Sequence, residues 1–309
     1  PDGIARMQFY HPNSVKKSFE PDNYRTRPCT SLSMKDLDCL LDIAGTRKAC
    51  LGVDVGTPHV LQSPLKNSTL KWKKHPTGFV STTLNNGMNV VLYQTNVQPV
   101  VQTQIMYEFG SNSEVGPSER GLAHICEHMI FKGTKKSTCG LELGETDIPA
   151  IARMLGANYN AYTTTNCTSY HFQSCPEYTS GFLEILASSM FDSRLDEQHL
   201  RSEKLAVLAE MSHGKDSIFR DALTSVRKRM YSTEHPQHYP TIGNMDDIAD
   251  LDATTLKSFY KRLYRPVNAT LFVVGAISDN YLQTLQDSEI ERLFNIGSAG
   301  QESVADVYC

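Results

Sequence analysis

"GLAHICEHMIFKGT", residues 121–134, places His124 and His128 four apart with Glu127 between them. On a helix, positions i, i+3 and i+4 share one face. The two imidazoles and the carboxylate therefore point the same way, while Leu122, Ile125, Cys126, Met129 and Ile130 cover the sides and back. Two neutral imidazoles at that spacing can hold one zinc ion and leave room for a third protein ligand and a water. The carboxylate beside them can act as general base toward that water. A solvated His/Glu stripe is the plainer reading, and two facts weigh against it. With 10 histidines and 16 glutamates in the chain, an H-x-x-E-H run arises by chance in roughly 0.02 chains of this kind. The helix around the stripe is also apolar, and an unpaired polar cluster is costly to bury there.

A pair of histidines still needs a third ligand. The helical stretch DEQHLRSEKLAVLAEMSHG (196–214) offers Glu203 and Glu210. Seven residues at about 100° each make nearly two turns, so both carboxylates share a face, with Ala206 and Val207 between them. Glu210 closes the run Val207-Leu208-Ala209, where a carboxylate wants a partner. Surface pairing of these glutamates with Lys204 or Arg201 is the alternative, and the spacing alone leaves it open.

Around these two helices the chain of 309 residues reads as α+β. FVSTTLNNGMNVVLYQT (79–95) is a hairpin pattern about Asn86-Gly87. VVQTQIMYEFGS (100–111) is a further strand, and the first helix is expected over 119–131, with Gly133 as its stop. TDIPAIARMLG (146–156) reads as a helix and ANYNAYTTTNCTSYHFQSC (157–175) as two strands. Helices follow at 177–191, 196–214, 216–231 and 252–264, then a strand at 268–277 and a closing helix at 279–294. The expected fold is an antiparallel or mixed sheet packed against several helices, forming one core domain over residues 76–298. Residues 1–75 read as an irregular extension with a short helix near 33–44, and 299–309 as a tail or linker. Cys126, about 200° round the helix from His124, belongs in the core, and His171 reads as a packed or surface histidine.

A net charge of −4 gives no electrostatic reason to expect nucleic acid as a partner. No apolar run approaches the roughly 20 residues of a membrane span. The eight cysteines contain no C-x-x-C and suggest neither a disulfide scaffold nor a zinc knuckle, so a reducing, intracellular compartment is expected. The chain opens on Pro1, so a targeting segment could be missing.

Residues 121–134 closely resemble the inverted zinc motif of the pitrilysin/insulinase family of metallopeptidases, the inverzincins. That family follows H-x-x-E-H with a helix bearing E-x6-E, and here His128 and Glu210 are 82 apart, a little longer than its usual interval. An insertion around STCGLELGETD (137–147) fits the excess. The resemblance covers about residues 79–298 and implies a peptidase half-domain of the mitochondrial-processing-peptidase type. It implies His124, His128 and Glu210 as ligands of one zinc ion, Glu127 as catalytic base and Glu203 as the glutamate supporting the site. NYNAYT (158–163) resembles the family's N-A-x-T strand, which puts Asn160, Ala161 and Thr163 beside the cleft as substrate-binding residues.

The implied activity is zinc-dependent endopeptidase cleavage of unfolded peptides. The resemblance also implies a second half, in the same chain or a partner subunit, which contributes an Arg/Tyr pair; the 15 residues after Phe294 cannot supply it. A catalytically silent subunit of the same fold is the alternative, opposed by the five intact key positions. A lyase of the S-ribosylhomocysteinase type shares H-x-x-E-H but uses a cysteine ligand, and the Glu203/Glu210 helix argues against it.

Overall fold

The computed structural model describes residues 70–135, 142–214 and 218–296. The expected helix at 33–44 and the tail from 299 lie outside these residues, as does part of the suggested insertion. Seven strands form one sheet: β1 Lys73–Lys74, β2 Val80–Thr83, β3 Asn89–Gln94, β4 Val101–Tyr107, β5 Asn158–Thr163, β6 Thr168–Ser174 and β7 Ala269–Gly275. Their order is β1-β2-β3-β7-β4-β6-β5. The β3–β7 pair is parallel and every other pair is antiparallel, so the sheet is mixed. It already takes in Lys73–Lys74, ahead of the boundary expected at 76.

Strand alternation decides which face carries the core. In β4, Val101, Thr103, Ile105 and Tyr107 are buried while Gln102, Gln104 and Met106 are half-buried on the other face. β7 repeats this with Ala269, Leu271 and Val273 inward. Against the inward face lie α1 Leu122–Ile130 and α3 Thr179–Phe191; the first reaches β5 and β6, the second β4 and β6. The other helices are α2 Asp147–Met154, α4 Glu197–Gly214, α5 Ile218–Met230, α6 Met245–Asp250 and α7 Ala253–Leu263. The closing segment is α8 Asp279–Thr284 and α9 Ile290–Phe294, joined by a π-helical turn, Leu285–Glu289. No helix among the described residues is long and apolar enough to cross a membrane.

The hairpin turns where Asn86-Gly87 marks it. Gly87 (φ +88) donates its N–H to the Leu84 carbonyl at 2.9 Å, and Leu84 N–H reaches the Met88 carbonyl at 2.8 Å. Its loop is longer than the two-residue form, and Asn86 has a second task. Its buried amide donates to the Phe294 and Ile296 carbonyls at 2.7 and 2.9 Å, tying the end of α9 to the first hairpin.

The first helix is shorter than its apolar period predicts. Residues 117–119 form a separate 3-10 turn, and Gly121 sits at φ +84, so α1 begins only at Leu122. A Cβ on Gly121 would lie 2.5 Å from Ile248 Cδ1 and 2.9 Å from the Ile242 carbonyl. Gly121→Ala combines left-handed strain with backbone overlap. It should cost about 2–4 kcal/mol and lower Tm by on the order of 10 °C. Gly156→Ala, also at positive φ but with nothing within 4 Å, should cost only about 1–2 kcal/mol. Thermal melts of both variants check the difference; equal losses would remove the role of the Ile242 and Ile248 contacts.

Candidate metal centre

Eight of the nine residues of α1 are buried, His124 and Glu127 among them. The solvated-stripe reading fails at this point, because the polar side chains face protein. The helix start is held by Glu114, whose carboxylate accepts the Ala123 N–H at 3.0 Å. Burial pushes Glu114 up to about 8, although backbone N–H groups of Ala123 and Gly121 pull the other way.

α4 lies against α1 and supplies both glutamates. Glu210 Oε2 stands 3.8 Å from His124 Nε2 and 4.0 Å from His128 Nε2. The three donor atoms lie within 4.8 Å of one another, the one such His/Cys/Asp/Glu group among the described residues. A tetrahedral zinc shell with bonds of about 2.1 Å separates its donors by about 3.4 Å. The two Glu210–imidazole distances, 3.8 and 4.0 Å, are close to that spacing, and a rotation of the side chains that draws the widest pair in from within 4.8 Å completes the fit. His128 Nε2 is buried and has no hydrogen-bond partner, as expected of an atom kept for a metal. Its other nitrogen, Nδ1, donates to Glu203 Oε2 at 2.9 Å, which fixes the tautomer.

Burial alone would raise the Glu203 carboxyl. Hydrogen bonds from His128 and Lys132 outweigh it and hold the group below its ordinary value. The alternative surface pairings of α4 are absent. Lys204 donates to the Ala249 and Leu251 carbonyls, and Arg201 pairs with Glu197. Val207, between the two glutamates, is buried, but Ala206 is exposed and does not share their face as the spacing suggested.

Glu127 points into the same cleft. Burial raises its carboxyl; a hydrogen bond with Thr163 and the nearby His128 lower it, and Glu210 raises it again. Its Oε2 is buried without a hydrogen bond. Of the three strand residues expected beside the cleft, Ala161 and Thr163 face α1. Thr163 reaches Glu127 and, at 3.5 Å, the Ala123 carbonyl. Asn160 sits on the alternate face, opposite His171, and its Oδ1 accepts the Ala161 N–H at 2.9 Å. It borders the cleft without aiming its side chain at the triad, because strand alternation sends neighbours to opposite faces. Cys126 is fully buried in the core, and burial drives its thiol far up.

Sequence reasoning missed Phe131, Lys132 and Tyr159, which line the cleft with Glu127, His128 and Glu203. For Lys132 a signal existed: it lies four residues past His128, on the continuation of the same stripe.

A family model for insulinase (peptidase family M16) matches residues 89–241, from the second strand of the hairpin through the H-x-x-E-H helix and the glutamate helix. The zinc protease PqqE of Helicobacter pylori is 30% identical over 220 residues, 70% of this chain and 47% of that protein. The chain belongs to the insulinase family, peptidase family M16. A crystal structure of a protease from Helicobacter pylori superposes with a TM-score of 0.64 at 27% identity, covering 73% of this chain and 52% of that one. The first half of the periplasmic protease PqqL from Escherichia coli shares the fold, with a TM-score of 0.63 at 21% identity, over 75% of this chain and 49% of that one. This insulinase-family chain thus spans about half the length of the proteins it matches.

The geometry separates the two glutamates of α4. Glu210→Gln should lose most of its zinc on dialysis against a mild chelator, whereas Glu203→Gln, which meets the proposed ligands only through His128's far nitrogen, should lose part. Metal analysis decides it, and full occupancy in the Glu210 variant would remove that residue from the ligand set.

Proposed function

We propose that this chain is the metal-bearing half of a zinc-dependent endopeptidase acting on unfolded peptides. The observation that carries the reading is a single cleft in which His124, His128 and Glu210 converge beside Glu127. Zinc held by those three donors would polarise a water and a peptide carbonyl. Glu127 then accepts a proton from the attacking water and passes it to the leaving amine. Its carboxyl suits both steps, because burial raises its proton affinity while Thr163 and His128 favour the ionised form. Glu203 keeps the Nδ1 proton on His128 and leaves Nε2 for the metal.

The sheet edge supports the proposed substrate class. β5 pairs with β6 alone among the described strands, so its outer edge offers main-chain hydrogen bonds to an extended peptide. A folded substrate would first have to free such a segment.

A second half is part of the proposal. The chain covers about half of its relatives. On α5, Phe219, Leu223, Val226 and Met230 repeat at helical spacing yet are 77%, 43%, 50% and 68% exposed. A stripe of that kind is the mark of an interface.

Glu127→Gln should keep zinc and lose hydrolysis. More than a few per cent of wild-type turnover in that variant would exclude Glu127 as the base. The chain alone should cleave an unstructured peptide about 10²-fold more slowly than when mixed with the following half of the native protein, which supplies transition-state contacts. Full activity of a demonstrated monomer without partner would overturn the two-half reading.

A further inference from the structure

We infer that Lys132 is a positioning residue of the metal centre: its ammonium fixes the Glu203 carboxylate that orients His128. The inference rests on the proposed metal reading and extends it to a residue outside H-x-x-E-H and E-x6-E.

Lys132 Nζ donates to Glu203 Oε1 at 2.7 Å, and His128 Nδ1 occupies the other oxygen at 2.9 Å. The carboxylate is thus held at both ends, one by the His128 ring and one by the lysine. Glu203 is 6% exposed, so this is not a solvated surface pair, which contributes little. A buried carboxylate that loses one of two charged partners is left under-satisfied and has reason to turn toward water. Turning it would release the His128 ring.

The backbone that carries Lys132 is itself fixed. Lys132 N–H donates to the Met129 carbonyl at 3.1 Å, and Gly133 follows at φ +103. A Cβ on Gly133 would come 2.5 Å from the Leu143 carbonyl, so the chain turns there without room for a side chain. The lysine stem is thereby folded back along the cleft, beside Glu127 and His128. From the far side Glu145 Oε1 also meets the ammonium, at 3.4 Å, while its other oxygen stands 3.5 Å from His199 Nε2. Glu145 therefore shares the cation without touching Glu203 or the histidines of the triad.

That asymmetry makes the test. Lys132→Met keeps a linear stem and removes the charge. It should weaken zinc binding by about 10-fold in chelator competition and change the visible absorption of the cobalt-loaded protein. Lys132→Gln should do the same, giving a second variant if the first fails to fold. Lys132→Arg should recover most of the affinity, and Glu145→Gln should bind zinc as the unsubstituted chain does. Far-UV circular dichroism and metal-free melting curves establish that the variants are folded. Unchanged zinc affinity and an unchanged cobalt spectrum in Lys132→Met would overturn the inference, as would an equal loss in Glu145→Gln. An unsubstituted chain that takes up no zinc would overturn the metal reading itself, and this inference with it.

Discussion

The helix Leu122–Ile130 buries an imidazole and a carboxylate along with its apolar residues, and a second imidazole is nearly enclosed. In a low-dielectric interior each of these groups needs a partner, and the surrounding elements are arranged to supply one. Glu203 and Glu210 come from α4, Thr163 from β5, and Glu114 caps the helix from the loop before it. Each partner sits on an element that also packs apolar side chains, so the polar contacts inherit the precision of the core. Gly121 allows the start of α1 to pass close to Gly243 and Ile248, which brings the helix to its place without a side chain in between.

Electrostatically the cleft divides its carboxylates. Glu203, with two donors, is held in the ionised form, while Glu127, with burial opposing Thr163 and His128, has its proton affinity raised. Two acids of the same chemistry lining one cleft thereby differ in charge preference, which suits one to orienting and the other to the proposed proton transfer. The difference comes from hydrogen-bond count and burial. It does not require different residue types.

The site was more legible in the sequence than the path of the chain around it. Helical spacing alone put His124, Glu127 and His128 on one face and Glu203 with Glu210 on another, because that periodicity is a property of the local backbone. What spacing could not settle was whether Glu210 meets the histidines or a surface cation; only the packing of α4 on α1 answers that. The start of α1 was misplaced for a related reason. Glu119 and Arg120 are good helix formers, but a tertiary close approach at Gly121 ends the helix on its left-handed backbone. Asn160 was read from its motif, while the pairing of β5 with β6 decides which way it faces. Asn86 announced a turn correctly, and nothing local could reveal that its amide would also clasp residues over 200 positions away.

The same division between local and distant information bears on the exposed surfaces. β5 leaves one edge unpaired among the described strands, and α5 turns an apolar stripe outward. An open edge and an apolar stripe are both liabilities in an isolated domain, since either invites association with the wrong chain. Their retention is accounted for if each has a use: the edge to take an extended substrate, the stripe to take a second folded body. On that reading the catalytic groups lie in one half, and the enclosure that excludes water from them is completed by the other. The metal-bearing half can then assemble its ligands without committing to hydrolysis. On the same reading, metal binding separates from turnover because the cleft lies at the margin of the sheet, beside β5, and not in its centre.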